Sequence, residues 1–85
     1  MRVISQDGII DMPYEICSVW CCSSVIMCDM CGDNTNTILA TYSAEEKAKK
    51  AMEMLREQYK KYIGSSVNIY GCFQFPNDDE IEVET

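Results

Sequence analysis

From Ser43 to Gly64 the apolar residues recur at steps of three and four: Ala48, Ala51, Met52, Leu55, Tyr59, Tyr62 and Ile63. On a helix with 3.6 residues per turn these positions share one face, so the stretch predicts one amphipathic α-helix over 43–63. Ser43 followed by Glu46 matches a capping box, in which the hydroxyl accepts from a backbone N–H three residues on and the carboxylate reaches back to the cap. Gly64 stands where a left-handed C-cap is expected. Glu45–Lys49, Glu46–Lys50 and Glu57–Lys61 have i,i+4 spacing in the favourable order, each pair worth about 0.2–0.5 kcal/mol. The plain reading of the stripe, Met54 included, is core.

Everything outside this helix is short, apolar and strand-like. Arg2–Ser5 and Ile9–Asp11 flank Gln6-Asp7-Gly8, a hairpin signal, and Met12-Pro13 turns the chain. Glu15–Cys22 and Val25–Cys31 read as strands joined by Ser23-Ser24, with a turn cluster at Gly32-Asp33-Asn34. Asn36–Tyr42 leads into the helix; Val67–Phe75, interrupted by Gly71, is the last strand and Pro76 ends it. The order β-β-β-β-β-α-β predicts an α+β fold: an antiparallel β-meander of five to six short strands, one amphipathic helix packed on one face, and a closing C-terminal strand. Residues 1–76 form a single domain. Residues 77–85 carry five acids and are expected to be an acidic, frayed tail.

One helix cannot cover both faces of such a sheet. Trp20, Cys22, Met27, Tyr70 and Phe73 make the second face partly apolar, so that face must curl into a small barrel or meet a second copy. A homo-oligomer is the expectation, and it suits a chain of 85 residues, which buries only about 60–65% of its unfolded surface.

Charge narrows the function classes. The net charge is −7. Six of the seven bases lie on the helix with four acids, giving it +2; the remainder, with Arg2 and ten acids, carries −9. Direct nucleic-acid binding and attachment to an anionic membrane are disfavoured, because both need basic surface. No apolar run approaches membrane-spanning length and the first residues lack a signal-peptide pattern, so the expected location is cytoplasmic, the host cytoplasm for a phage-encoded chain. The six cysteines are then expected to be thiols. There is no histidine, no phosphate loop and no compact acid pair, so no enzyme is expected.

Two constellations carry candidate chemistry. Cys28-Asp29-Met30-Cys31-Gly32 resembles a zinc knuckle, and Cys17 and Cys21 on the preceding strand complete a candidate set of four metal ligands: Cys17, Cys21, Cys28 and Cys31. The plain alternative is that these thiols are small core hydrophobes, with no cofactor. Ser5-Gln6-Asp7-Gly8 groups polar side chains in one turn. With Arg2, Trp20, Lys47 and Lys50, its Gln6 and Asp7 form a candidate ligand set, whose plain alternative is a structural hairpin.

The segments MRVISQDGIIDMPYE, ATYSAEEKAKKAMEMLREQYKKY and FQFPNDDEIEV, about half the chain, resemble a group of small uncharacterised proteins of low-GC Gram-positive bacteria, their prophages and phages. More distant members open on an R-S-Q-D strand, carry a Y-[ST]-x-E-x-A helix start and close on an aromatic-x-Pro strand. The cysteine cluster of Cys17–Cys31 departs from that pattern. The resemblance implies a fold and a phage setting, and no activity. Three functions follow as expectations. The first is a non-enzymatic binding protein, a counter-defence factor sequestering a small-molecule or nucleotide immune signal at an oligomer interface. The second is an acidic protein-binding inhibitor of a host defence protein, a nucleic-acid mimic in the manner of an anti-CRISPR. The third is a zinc-stabilised structural module.

Overall fold

The computed structural model describes residues 1–30, 36–65 and 71–82. Its elements are β1 (Arg2–Ile4), β2 (Asp11–Pro13), a 3-10 turn (Tyr14–Ile16), β3 (Cys17–Cys22), β4 (Val25–Met30), β5 (Thr37–Thr41), α1 (Glu45–Gly64), β6 (Cys72–Gln74) and a second 3-10 turn (Asp78–Glu80). The chain is α+β and the order β-β-β-β-β-α-β is the expected one. The single meander is not what forms. The strands divide into two three-stranded sheets, β2-β1-β6 and β3-β4-β5.

The division begins at Pro13. It ends β2 rather than turning the chain, and its φ of −74° and ψ of 129° lead into the 3-10 turn that takes the place expected for the start of β3. Beyond that turn the chain builds a meander of two hairpins, β3-β4 and β4-β5. In the first sheet β1 is central. It runs antiparallel to β2 and parallel to β6, so that Val3 lies opposite both Met12 and Phe73. Only the second sheet is a local meander; the first is closed by a strand from the far end of the sequence. The terminal amine of Met1 donates to both carboxylate oxygens of Glu15, at 2.9 and 2.7 Å.

Helix α1 packs Ala48, Ala51 and Leu55 fully into the core, with Met52, Tyr59 and Tyr62 at its margins. Met54 and Ile63 fall off the stripe, 37% and 64% exposed. The expected caps do not form. The N-cap is Ala44, extended at φ −146°, without a side-chain cap, and the Ser43 backbone N–H donates instead to Asp78 Oδ1 at 2.7 Å. A carboxylate from the other end of the chain thus meets the positive end of the helix dipole. Gly64 is the last helical residue, and Ser65 beyond it is extended at φ −107°. Among the described glycines the left-handed region is used by Gly8. Glu45–Lys49 forms an ion pair at 3.5 Å, and Glu57 pairs with Lys60 at 3.9 Å.

The core joins Val3, Met12, Phe73 and Phe75 to Ile26, Cys28, Leu39 and Ala40 of the second sheet. Phe73 and Phe75 meet edge to face at 5.2 Å, and Tyr14 packs on Tyr59 at 4.8 Å. Ile26 pairs with Ala40 but Met27 pairs with Ile38, so Leu39 is the extra residue of a β-bulge. The bulge lets Leu39 and Ala40 both turn inward.

Residues 77–82 are docked, not frayed. Asn77 N–H donates to Glu80 Oε1 at 2.9 Å, and Ile81 is only 4% exposed. The expected turn at Gly32-Asp33-Asn34, with Cys31 before it, lies outside the described residues, as do 67–70 of the expected last strand, Tyr70 among them.

Candidate functional site

The polar turn between β1 and β2 is built as architecture. Asp7 accepts from the Ser5 hydroxyl and from the Ile9 N–H at 3.1 Å, and these two donors, the hydroxyl first, hold its carboxyl below the usual carboxylate range. Gly8, at φ 78°, closes the turn where a side chain would be strained. Gln6 joins the sheets. Its backbone N–H donates to Leu39 O at 2.8 Å, its Oε1 accepts from Thr41 N–H at 3.1 Å and its Nε2 donates to Pro76 O at 3.1 Å. The side-chain amide thereby supplies the acceptor that a further peptide unit of β1 would have offered to the edge of β5. The Leu39 bulge presents the carbonyl that the Gln6 N–H meets. Two shallow depressions adjoin Gln6, one of about 250 Å³ bounded by Gln74, Pro76, Asn77 and Glu80, the other of about 110 Å³ against Asp7 and residues 38–41.

The remaining ligand candidates lie apart. Arg2 is paired with Asp11 on the outer face of the first sheet. Lys47 Nζ donates to Asp78 O at 2.9 Å and Oδ2 at 3.3 Å. The Asp78 carboxyl is held below its ordinary range, chiefly by the Ser43 N–H and then by Lys47. Lys50 is exposed beside a groove of about 260 Å³ between α1 and Phe73, with Glu53, Met54 and Glu57. Trp20 sits opposite Met27. Its neighbours Val19 and Cys21 pack on the core, so alternation places Trp20 on the other side of the sheet from α1 and its lysines. Among the described residues of one chain, then, Arg2, Gln6, Asp7, Trp20, Lys47 and Lys50 do not converge on one cavity.

Three of the cysteines face the core, while Cys22 and Cys72 are exposed. Cys17, Cys21 and Cys28 share the inner face of the β3-β4 hairpin, with Cys28 fully buried opposite Val19. Cys17 Sγ is 3.6 Å from Tyr14 O, and Cys21 Sγ is 3.1 Å from Ser23 O. Burial, before any other cause, pushes all three thiols above their ordinary pKa. Among the described residues no three histidine, cysteine or acidic side chains gather as metal ligands, and Cys31 is not among them.

What the structure does bring together is a row across the second sheet. Trp20, Met27 and Ile38 are in register on the outer face of β3, β4 and β5, and Ile38 is 55% exposed. Val25 lies on the same face, next to Cys22 and Thr41. The outer face of the first sheet carries Arg2, Asp11 and Gln74 instead. Both outer faces are mixed, but the second has the apolar row at its centre, flanked by Ser18, Asp29 and Thr41. Ile38 was the residue that strand periodicity alone did not single out, because the bulge beside it sets which way it points. On the same outer face Asp29 keeps one carboxylate oxygen shielded from water and without a hydrogen-bond partner. No protein-family model, curated protein or solved structure matches the chain.

Proposed function

We propose that the chain is a non-enzymatic binding protein that works as a homo-oligomer, with the outer face of β3-β4-β5 as its contact surface. The Trp20–Met27–Ile38 row supports this reading: half-buried Trp20 and Met27 stand in register with exposed Ile38, separate from the core, and apolar groups so placed mark contact surfaces. Arg2 and Lys47 are already paired with acids of their own chain, so one subunit offers an apolar row but no assembled anion pocket. In the phage setting that the sequence resemblance implies, the function that fits is counter-defence, with a small-molecule or nucleotide immune signal held between subunits. There Trp20 can stack on a base. Acid mimicry of nucleic acid has less support, because Asp7, Asp11, Glu15 and Asp78 are each tied to a donor of the same chain.

Size-exclusion chromatography with light scattering on protein purified from cells, followed by mass analysis of small molecules released on denaturation, tests this. An oligomer carrying a stoichiometric small molecule is the expected result. A ligand-free monomer would overturn it.

A further inference from the structure

The two sheets have four outer strands, and three of them are blunted. β5 is met by Gln6, which donates its N–H to Leu39 O and accepts from Thr41 N–H, and the strand is bent by a bulge. β2 is three residues long, begins with Asp11 paired to Arg2 and ends in proline. β6 is also three residues long, and Pro76 follows two residues after it. Short strands, charges, prolines and bulges are the devices by which proteins stop edge pairing. β3 has none of them. It is six residues long, Cys-Ser-Val-Trp-Cys-Cys, and no charged residue or proline occurs anywhere from Ile16 to Cys28. Among the described residues no strand pairs with its outer edge.

The register shows which groups that edge offers. Cys22 and Val25 close the two-residue Ser23-Ser24 turn, so they form a hydrogen-bonded pair, and hydrogen-bonded pairs alternate along an antiparallel ladder. Ser18, Trp20 and Cys22 therefore direct their N–H and C=O toward β4, while Cys17, Val19 and Cys21 direct theirs away from it. The Cys17 N–H is taken by Tyr14 O. Among the described residues the Val19 and Cys21 amides have no acceptor.

We infer that β3 pairs antiparallel with β3 of a second copy of this chain, about a two-fold axis through Val19. This deepens the homo-oligomeric reading above and rests on it. Centring on Val19 places Cys17 of one copy opposite Cys21 of the other, so each outward-facing residue meets an outward-facing residue. Shifting the axis to Trp20 would set Cys17 against the Ser23 turn instead. A second copy is the partner this edge suits. Two chains of net charge −7 repel over most of their surface, and β3 lets them meet without opposing one carboxylate to another. The pairing is self-complementary, as a two-fold interface must be. It makes one continuous six-stranded sheet and brings the two Trp20–Met27–Ile38 rows onto a single surface.

The test is V19P on the full chain, with sedimentation across a dilution series and amide exchange on the unsubstituted protein. The Val19 N–H points away from β4, so proline removes no bond of the subunit's own ladder but deletes the bonds at the axis. V19P is expected to weaken self-association about thirtyfold or more while keeping the folded circular-dichroism spectrum. In the unsubstituted protein the Val19 and Cys21 amides should be protected at high concentration and should exchange freely on dilution. This second readout stands even where V19P does not fold. An oligomer whose Val19 and Cys21 amides exchange equally fast at all concentrations would overturn edge pairing and leave the homo-oligomeric reading intact. A monomer at every concentration would overturn both.

Discussion

Gln6 is the most informative residue to perturb, because its carboxamide is placed as a surrogate peptide between two sheets. Gln6→Ala removes two hydrogen bonds, to Thr41 N–H and to Pro76 O, at 3.1 Å each. Each is worth about 1 kcal/mol. Thr41 is exposed and Pro76 O keeps the Tyr42 hydroxyl at 2.8 Å, so neither partner is stranded away from an alternative. The expected loss is then about 1–2 kcal/mol, or roughly 4–16 °C in Tm for a domain of this size. Gln6→Glu is the sharper variant. Its carboxylate still accepts from Thr41 N–H, but an oxygen replaces the donor that faced Pro76 O. Two acceptors then oppose each other, and at pH 7 the loss should equal or exceed that of the alanine variant. Protonation restores a donor. The folded state therefore prefers the neutral acid and raises its pKa, so the penalty is full above that pKa and shrinks as pH falls through it. Urea unfolding of both variants from pH 4 to 8, with exchange of the Thr41 amide, decides the matter. The amide should lose protection in Gln6→Ala and keep it in Gln6→Glu. A Gln6→Glu penalty that is absent at pH 7, or that does not change with pH, refutes the surrogate-strand account.

Ser23 holds φ 57° in the two-residue turn, a region that disfavours a Cβ; Ser23→Gly should stabilise by about 0.5–1 kcal/mol in thermal unfolding, net of glycine's greater unfolded freedom. Leu55→Ala empties a fully buried core position and should cost about 3–5 kcal/mol, enough to leave much of the chain unfolded at 37 °C by circular dichroism. Asp7, Glu15 and Asp78 all titrate below their ordinary values in the folded chain, held down respectively by Ser5, the terminal amine and Ser43. Their contribution is present above the unfolded values of about 4 and is lost as pH falls through the depressed ones; Tm should drop steeply below about pH 4, and less steeply in Asp78→Asn. Ile38→Ser should change folding stability little, because the side chain is already 55% exposed, but should weaken self-association measured by light scattering.

The parts of this fold that sequence reveals are those fixed by neighbours in the chain. The period of three to four located α1, and Ser23-Ser24 located the β3-β4 hairpin. The N-cap was misplaced because the local pattern favours Ser43, while a residue 35 positions away supplies the carboxylate that meets its N–H. The two-sheet arrangement was not legible for the same kind of reason: nothing near Val3 announces Phe73 as its parallel partner. The apolar row was half legible. Trp20 and Met27 stand out by composition, but Ile38 joins them only through the bulge at Leu39. Within one subunit Arg2 and Lys47 each pair with an acid of the same chain, and a charge count cannot see such pairings.

The parallel match of residues 2–4 to residues 72–74 also has a consequence for how the chain is made. On a ribosome the hairpins of the second sheet have all their strands once residue 41 has emerged. The opening strand can find β2 early, yet its other flank stays bare while the helix and everything after it are still being synthesised. The nascent molecule thus carries an unfinished seam until residues 72–74 arrive to close it.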